Sequence, residues 1–219
     1  MGTFEGFRRN VHSQNGEDGV LMELIDRLGL PSPGICVEVG ASDGTLSNVL
    51  RLIEKGWRGV LIEHAEINVA ALRALAQRFS AGQVKVLRRM VGYGERDGLD
   101  AVMGLTDVPR EFDLLSIDID GYDFQVWRAF TRYQPKIVIV EINSGIPLGI
   151  RQVHGEGRQG ASFTSMLELG AAKGYRLACH TGNMVFVRAD LLGRLGLTDE
   201  EVAQPEILFN YAGPELRGE

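Results

Sequence analysis

The apolar residues of this chain change period along its length, and the changes mark out its elements. From Glu17 to Leu28, Val20, Leu21, Leu24, Ile25 and Leu28 fall on one stripe, which predicts a helix. Gly29 and the prolines at 31 and 33 stop it. Ile35 to Val39 is a short apolar run and predicts the first strand. Leu46 to Lys55 returns to helical spacing, with Val49, Leu50 and Ile53 inward and Gly56 as its exit. A second strand is expected over Gly59 to Glu63, a helix over Asn68 to Phe79, and a third strand over Val84 to Val91, interrupted by Arg88 and Arg89. Leu114 to Asp120 reads as the fourth strand, Phe124 to Tyr133 as a helix, and Lys136 to Glu141 as the fifth strand. The unbroken Ile–Val run of that fifth strand suits a strand buried on both faces. Ser162 caps a further helix that runs to Lys173 and leaves at Gly174. Tyr175 to His180 and Met184 to Arg188 then flank Thr181-Gly182-Asn183, a hairpin signal.

Strands alternating with helices predict a parallel sheet covered on both faces. The fold class expected is therefore α/β. It is a single Rossmann-like domain with a mostly parallel seven-stranded sheet that ends in an antiparallel hairpin. Residues 1–33 read as a helical lead-in, 34–191 as the core and 192–219 as a helical tail. One long irregular segment remains, Ser144 to Ala161, with five glycines. Loops of that length inside a compact domain are usually functional or disordered.

Composition narrows the function. A net charge of −6 argues against a protein that grips many phosphates, so nucleic acid is not expected as a partner. The two cysteines, Cys36 and Cys179, fall inside strands and read as small buried hydrophobes. The first residues carry no apolar signal region, and no later segment is long enough to span a bilayer. A reduced, cytoplasmic protein is expected, with no membrane partner. The long loop leaves a homodimer open.

The chemistry concentrates where strands end. Val37-Glu38-Val39-Gly40-Ala41-Ser42-Asp43-Gly44 turns from the first strand into a helix, and Glu63 closes the second strand 25 residues after Glu38. The spacing is not the G-x-G-x-x-G of dinucleotide enzymes. It resembles the S-adenosylmethionine (SAM) site of class I methyltransferases. Gly40, Ser42 and Gly44 lie where the backbone must pass close to a ligand. A carboxylate at Asp43 suits the ammonium of the SAM tail, and Glu63 suits both ribose hydroxyls. Glu38 is expected to orient the turn or touch the tail, and Gln14 and Glu17 to close over the cofactor.

A second cluster ends the fourth and fifth strands. Residues two apart in a strand share a face, so Asp118 pairs with Asp120, and Glu141 with Asn143. Adjacent strands lie ~4.8 Å apart, and oxygen donors converging there suit Mg²⁺. Asp123, and equally Asp120, also fit as caps of the following helix. His154, with Arg151 and Arg158 in the glycine-rich loop, is one candidate for the base; Asp118 is the other. His12 and His64 are assigned no role, and His180 is expected to be structural.

Three stretches resemble the FkbM-type methyltransferases. They are Ser13-Gln14-Asn15-Gly16-Glu17-Asp18; Val37 to Gly44 together with Gly56 to Glu63; and Leu115 to Asp123 together with Pro135 to Asn143. The resemblance implies SAM-dependent O-methylation of a small molecule, a sugar or oligosaccharide, or a natural product. It also implies a Mg²⁺ site with Asp118, Glu141 and Asn143 as ligands. Two other readings stand beside it. One is a metal-dependent glycosyltransferase using Asp118-Ile119-Asp120, which leaves the glycine turn unexplained. The other is a SAM-binding protein without catalysis.

Overall fold

The computed structural model describes residues 2–210. Seven strands form one sheet in the order β3-β2-β1-β4-β5-β7-β6. They are β1 (Ile35–Val39), β2 (Arg58–Glu63), β3 (Val84–Arg88), β4 (Glu111–Ile117), β5 (Gln134–Glu141), β6 (Tyr175–His180) and β7 (Asn183–Arg188). β1 to β5 are parallel, and β7 runs antiparallel to both β5 and β6. The expected α/β architecture, hairpin included, is the one observed. Strand order reverses beside β1, which pairs with β2 on one side and β4 on the other. Ligands of open α/β sheets bind beyond the carboxyl ends of the strands at such a switch point.

The period-2 alternation sorts the core into two layers. Val37, Val39, Leu115, Ile117, Val138 and Val140 face α4 (Leu99–Met103), α5 (Asp123–Ala129) and α6 (Phe163–Ala172). Cys36, Leu114, Ile137 and Ile139 face α1 (Glu17–Leu28), α2 (Leu50–Glu54) and α3 (Glu66–Ala76). Leu21, Leu24 and Leu28 of α1 are buried, each contributing roughly 1.5–3 kcal/mol of hydrophobic stabilisation. The alternation puts Glu38 in the α1–α3 layer together with Cys36.

The lead-in is tied down by carboxylates. Asp18 Oδ2 accepts the N–H groups of Val11, His12 and Ser13 and the Ser13 hydroxyl. Ser13 Oγ accepts the Asp18 N–H in return, which closes the start of α1. Glu17 reaches across to the hairpin and accepts from Thr181 Oγ1 at 2.6 Å. In the tail, α7 (Asp199–Ala203) carries a capping box between Thr198 and Glu201. The expectation of a helical tail over 192–219 lies outside the described residues from 211 onward. Among the described residues no helix is long and apolar enough to cross a membrane.

Several elements differ from expectation: β3 ends at Arg88 rather than Val91, α3 spans Glu66–Ala76 rather than Asn68 to Phe79, and three further differences have a visible cause. The helix expected from Leu46 begins at Leu50. Leu46 is in the left-handed region at φ 60°, and Glu38 draws the Ser47 hydroxyl and the Asn48 N–H toward β1. β4 ends at Ile117, so Asp118 and Asp120 lie past the strand, and Asp120 turns at φ 58°. α5 stops at Ala129 rather than Tyr133, because Asp100 takes the N–H groups of Thr131 and Arg132. α4 carries no expectation from the sequence; its one buried turn and a half is too short for a periodic signal.

Candidate active site

Two cavities open at the carboxyl rim of the sheet, and Asp118 lines both. The larger, about 490 Å³, is bounded by Gly40, Ser42, Glu63, Ile119 and the loop after β3. That size falls in the range of small-molecule sites. Gly40 has φ 81°, and a Cβ there would run into the carbonyl oxygen of Asp118. Only glycine lets the first turn lie against the end of β4. A Cβ at Gly44 would press on Leu75 and Leu72 of α3.

Glu63 organises this cavity. Its Oε2 accepts the Ser42 N–H at 2.9 Å, and its Oε1 accepts the N–H groups of His64 and Ala65, each at 2.7 Å. A carboxylate has about four lone-pair directions. Three are spent on the backbone, so the free capacity is on Oε2. Glu38 does not face the cavity. It is buried under the turn, and burial first, with repulsion from Asp118 and Asp18, pushes its carboxyl up to about 7 against the pull of Ser47 and Asn48. Its role is the first of the two expected, that of orienting the turn. Asp43 turns outward: its carboxylate accepts from the Thr45 N–H and hydroxyl, which lowers its pKa, and it does not line the cavity.

The second cavity, about 100 Å³, is polar and lies on the other side of Asp118. Glu141, Gln14, Asn15, Asn48 and Asn183 line it. Gln14 therefore covers the carboxylates, and not the larger cavity. Asp118, Asp120 and Glu141 each offer an oxygen, and these atoms lie within 4.8 Å of one another. Asp118 and Glu141 follow the paired residues Ile117 and Val140, so register alone makes them neighbours. Asp120 joins them through its left-handed turn. Asn143 is engaged elsewhere: its Nδ2 donates to Gln159 O and its Oδ1 accepts from Gly145 N, both at 3.0 Å, which ties the ends of the glycine-rich loop together.

The cluster holds its charge at a cost. Burial, then repulsion from Asp123 and Asp120, pushes Asp118 up to about 6. Burial, then repulsion from Asp118, Asp123 and Asp120, pushes Glu141 up to about 8. A hydrogen bond joins the two carboxyls, so they titrate as a pair. No cationic side chain is among the groups that set either value. Asp123 accepts the N–H groups of Ile119 and Gly121 and so holds the loop in front of α5.

His154 comes to this rim from the loop after β5. Its ring lies 4.3 Å from that of Tyr122, which is 5.6 Å from Tyr93. Arg151 is paired with Glu168 on the surface and lines neither of these two cavities. His12 meets Glu54, while His64 sits on the rim of the larger cavity. His180 is buried, bonded to Ser144 and to the Asn210 N–H, and burial pulls it down to about 4. Asp97, Asn68, Tyr93 and Tyr122 also line the larger cavity, and no expectation named them. The glycines at 92, 94 and 98 around Asp97 were the available signal: Asp97 accepts the Gly94 N–H and its carbonyl takes Gly92 N–H.

The sheet order, the glycine turn and the acid-terminated second strand define a class I methyltransferase fold. The methyltransferase FkbM domain model matches residues 98–177, from α4 into β6, and the family resemblance read from the sequence holds there. No curated protein matches the chain. Among solved structures it is similar to monomeric WbdD, at 20% identity and TM-score 0.52, over 83% of this chain and 42% of that one. It is also similar to the mitomycin 7-O-methyltransferase MmcR, at 17% identity and TM-score 0.45, over 78% and 55% of the two chains. A third is the glycopeptide N-methyltransferase MtfA in complex with SAM, at 12% identity and TM-score 0.47, over 81% and 94%. The chain spans about half the length of the first two.

Proposed function

We propose that the protein transfers a methyl group from SAM to a hydroxyl of a sugar or sugar-like natural product, assisted by Mg²⁺. The observation that carries the reading is the shared wall: a nucleoside-sized cavity meets three clustered carboxylates at Asp118. SAM, when bound, supplies an electrophilic methyl on a sulfonium. Gly40 and Ser42 bring bare backbone against that ligand, and Glu63 offers its remaining lone pair to a ribose hydroxyl.

The difficulty lies with the alcohol, whose pKa is close to that of bulk water, ~15.7. Asp118, Asp120 and Glu141 fit a hard cation: all are oxygen donors, and among the described residues none of the three is in a salt bridge. Mg²⁺ held there would lower the pKa of a coordinated hydroxyl. Asp118, which lines both cavities, is placed to receive the hydroxyl proton. Tyr93 and Tyr122, 51% and 43% exposed on the rim, offer ring faces to the acceptor.

Titration calorimetry with S-adenosylhomocysteine, and separately with UDP-glucose, tests the cofactor. Binding of the first without metal supports the reading; binding of the second instead favours a glycosyltransferase. Radiolabelled methyl transfer from SAM to a panel of methyl glycosides, abolished by EDTA and restored by Mg²⁺, tests the reaction. Transfer to amines but to no hydroxyl would overturn it.

A further inference from the structure

The structure assigns His154 to hydrogen-bond donation through Nε2–H, toward an oxygen of the acceptor beside the reacting hydroxyl, and not to proton abstraction. The assignment of that oxygen to an acceptor rests on the function proposed above; the state of the ring does not.

Gly160 N–H donates to His154 Nδ1 at 3.2 Å. In a neutral imidazole one nitrogen accepts and the other carries the proton. With Nδ1 accepting, Nε2 bears hydrogen. A ring acting as a base at Nε2 needs its proton on Nδ1, which would set N–H against N–H at Gly160.

Packing and one hydrogen bond set the Nδ1 edge of the ring against Gly160 and Gly121. A Cβ at Gly121 would lie 2.6 Å from Nδ1 and 2.7 Å from Cε1, so that edge is flush against the Gly121 backbone. Tyr122 covers the ring 4.3 Å away. Gln125 Nε2 holds the His154 carbonyl at 2.8 Å and fixes the backbone beneath. Among the described residues no hydrogen bond to Nε2 occurs. His154 lines neither cavity but packs on Tyr122, which lines the larger one, and its one N–H there suits a hydroxyl, ether or carboxylate oxygen. Removing such a donor leaves an oxygen of the bound acceptor unpaired, a loss of about 10- to 100-fold in affinity.

Long-range proton–nitrogen NMR on the full chain labelled with ¹⁵N-histidine reads the tautomer directly, with His154→Gln assigning the signal. An Nε2–H pattern above the titration is expected; an Nδ1–H pattern, or an even average of the two, overturns the proposal. Kinetics on a methylated glycoside of the panel give the second test. His154→Gln keeps a donor and should stay within about tenfold of the parent in kcat/KM, with both limbs of the pH profile intact. His154→Leu should raise KM by about 10- to 100-fold with kcat largely kept. A glutamine variant as inactive as the leucine variant, with a limb of the profile gone, makes His154 the base. If no glycoside is methylated, the function proposed above fails while the NMR result still decides the tautomer.

Discussion

The Ser42 N–H and Glu63 Oε2 meet at 2.9 Å, and this one bond joins the turn after β1 to the end of β2. Glu63 holds two more backbone N–H groups from within a site only 5% exposed. Glu63→Gln places an NH₂ against donors that need an acceptor. We expect a loss of about 1–3 kcal/mol in stability by denaturant unfolding. S-adenosylhomocysteine binding should weaken by more than about tenfold in calorimetry. Unchanged affinity would remove Glu63 from the cofactor site.

Gly40→Ala tests the close approach of β1 and β4. The added methyl meets the Asp118 carbonyl at a positive φ, so both sterics and backbone oppose it. A stability loss of at least about 1–3 kcal/mol is expected, with S-adenosylhomocysteine binding abolished. A variant that melts and binds like the parent would contradict the geometry of the turn.

Asp43→Ala should do little. Its carboxylate serves Thr45 and lies outside the cavity. Affinity for S-adenosylhomocysteine within about twofold of the parent is expected, as for other surface substitutions. A tenfold loss (about 1.4 kcal/mol) would return Asp43 to the ammonium role.

The carboxylate pair gives a pH signature. Asp118 and Glu141 hold protons in the folded state up to about 6 and about 8, above their ordinary values of 3.8 and 4.5. Folded pKa values above unfolded ones mean stability that is present at low pH and lost as pH rises through 6 to 8. An ion binding these groups must displace their protons. Mg²⁺ should therefore raise the melting temperature more at about pH 8 than at about pH 6. Asp118→Asn with Glu141→Gln should flatten both trends. Equal Mg²⁺ effects at the two pH values would count against an ion at this pair.

His180 acts in the opposite direction. Burial holds its pKa at about 4 against an ordinary 6.5. A depressed folded value gives stability that is present above 6.5 and lost as pH falls toward 4. His180→Gln should make the melting temperature less sensitive to pH in that interval. An unchanged slope would mean that His180 is not the residue responsible.

Elements with long, clean periodicity were legible: α1 and β1 have the bounds their sequences predict, and Ser162 caps α6 as expected. What failed was set by single side chains acting at a distance. Glu38 delays α2 by taking Ser47 and Asn48, and Asp100 ends α5 from another part of the chain. No local pattern carries such bonds. The same holds at the site. Asp118 and Glu141 were readable because register brings strand ends together. Asp120 joins them through one left-handed residue, and the Asn143 side chain bonds within its loop to Gln159 and Gly145. Asp43 closes a local turn, and in one dimension such a residue looks like one that faces a ligand.

Asp118 is a hinge point for innovation as well as for chemistry. Gln14, Asn15 and Asn183 stand on its far side, apart from Gly40, Ser42 and Glu63. Descendants of this chain could change what they modify by editing one flank. A change at that aspartate alone would be felt by donor and recipient together.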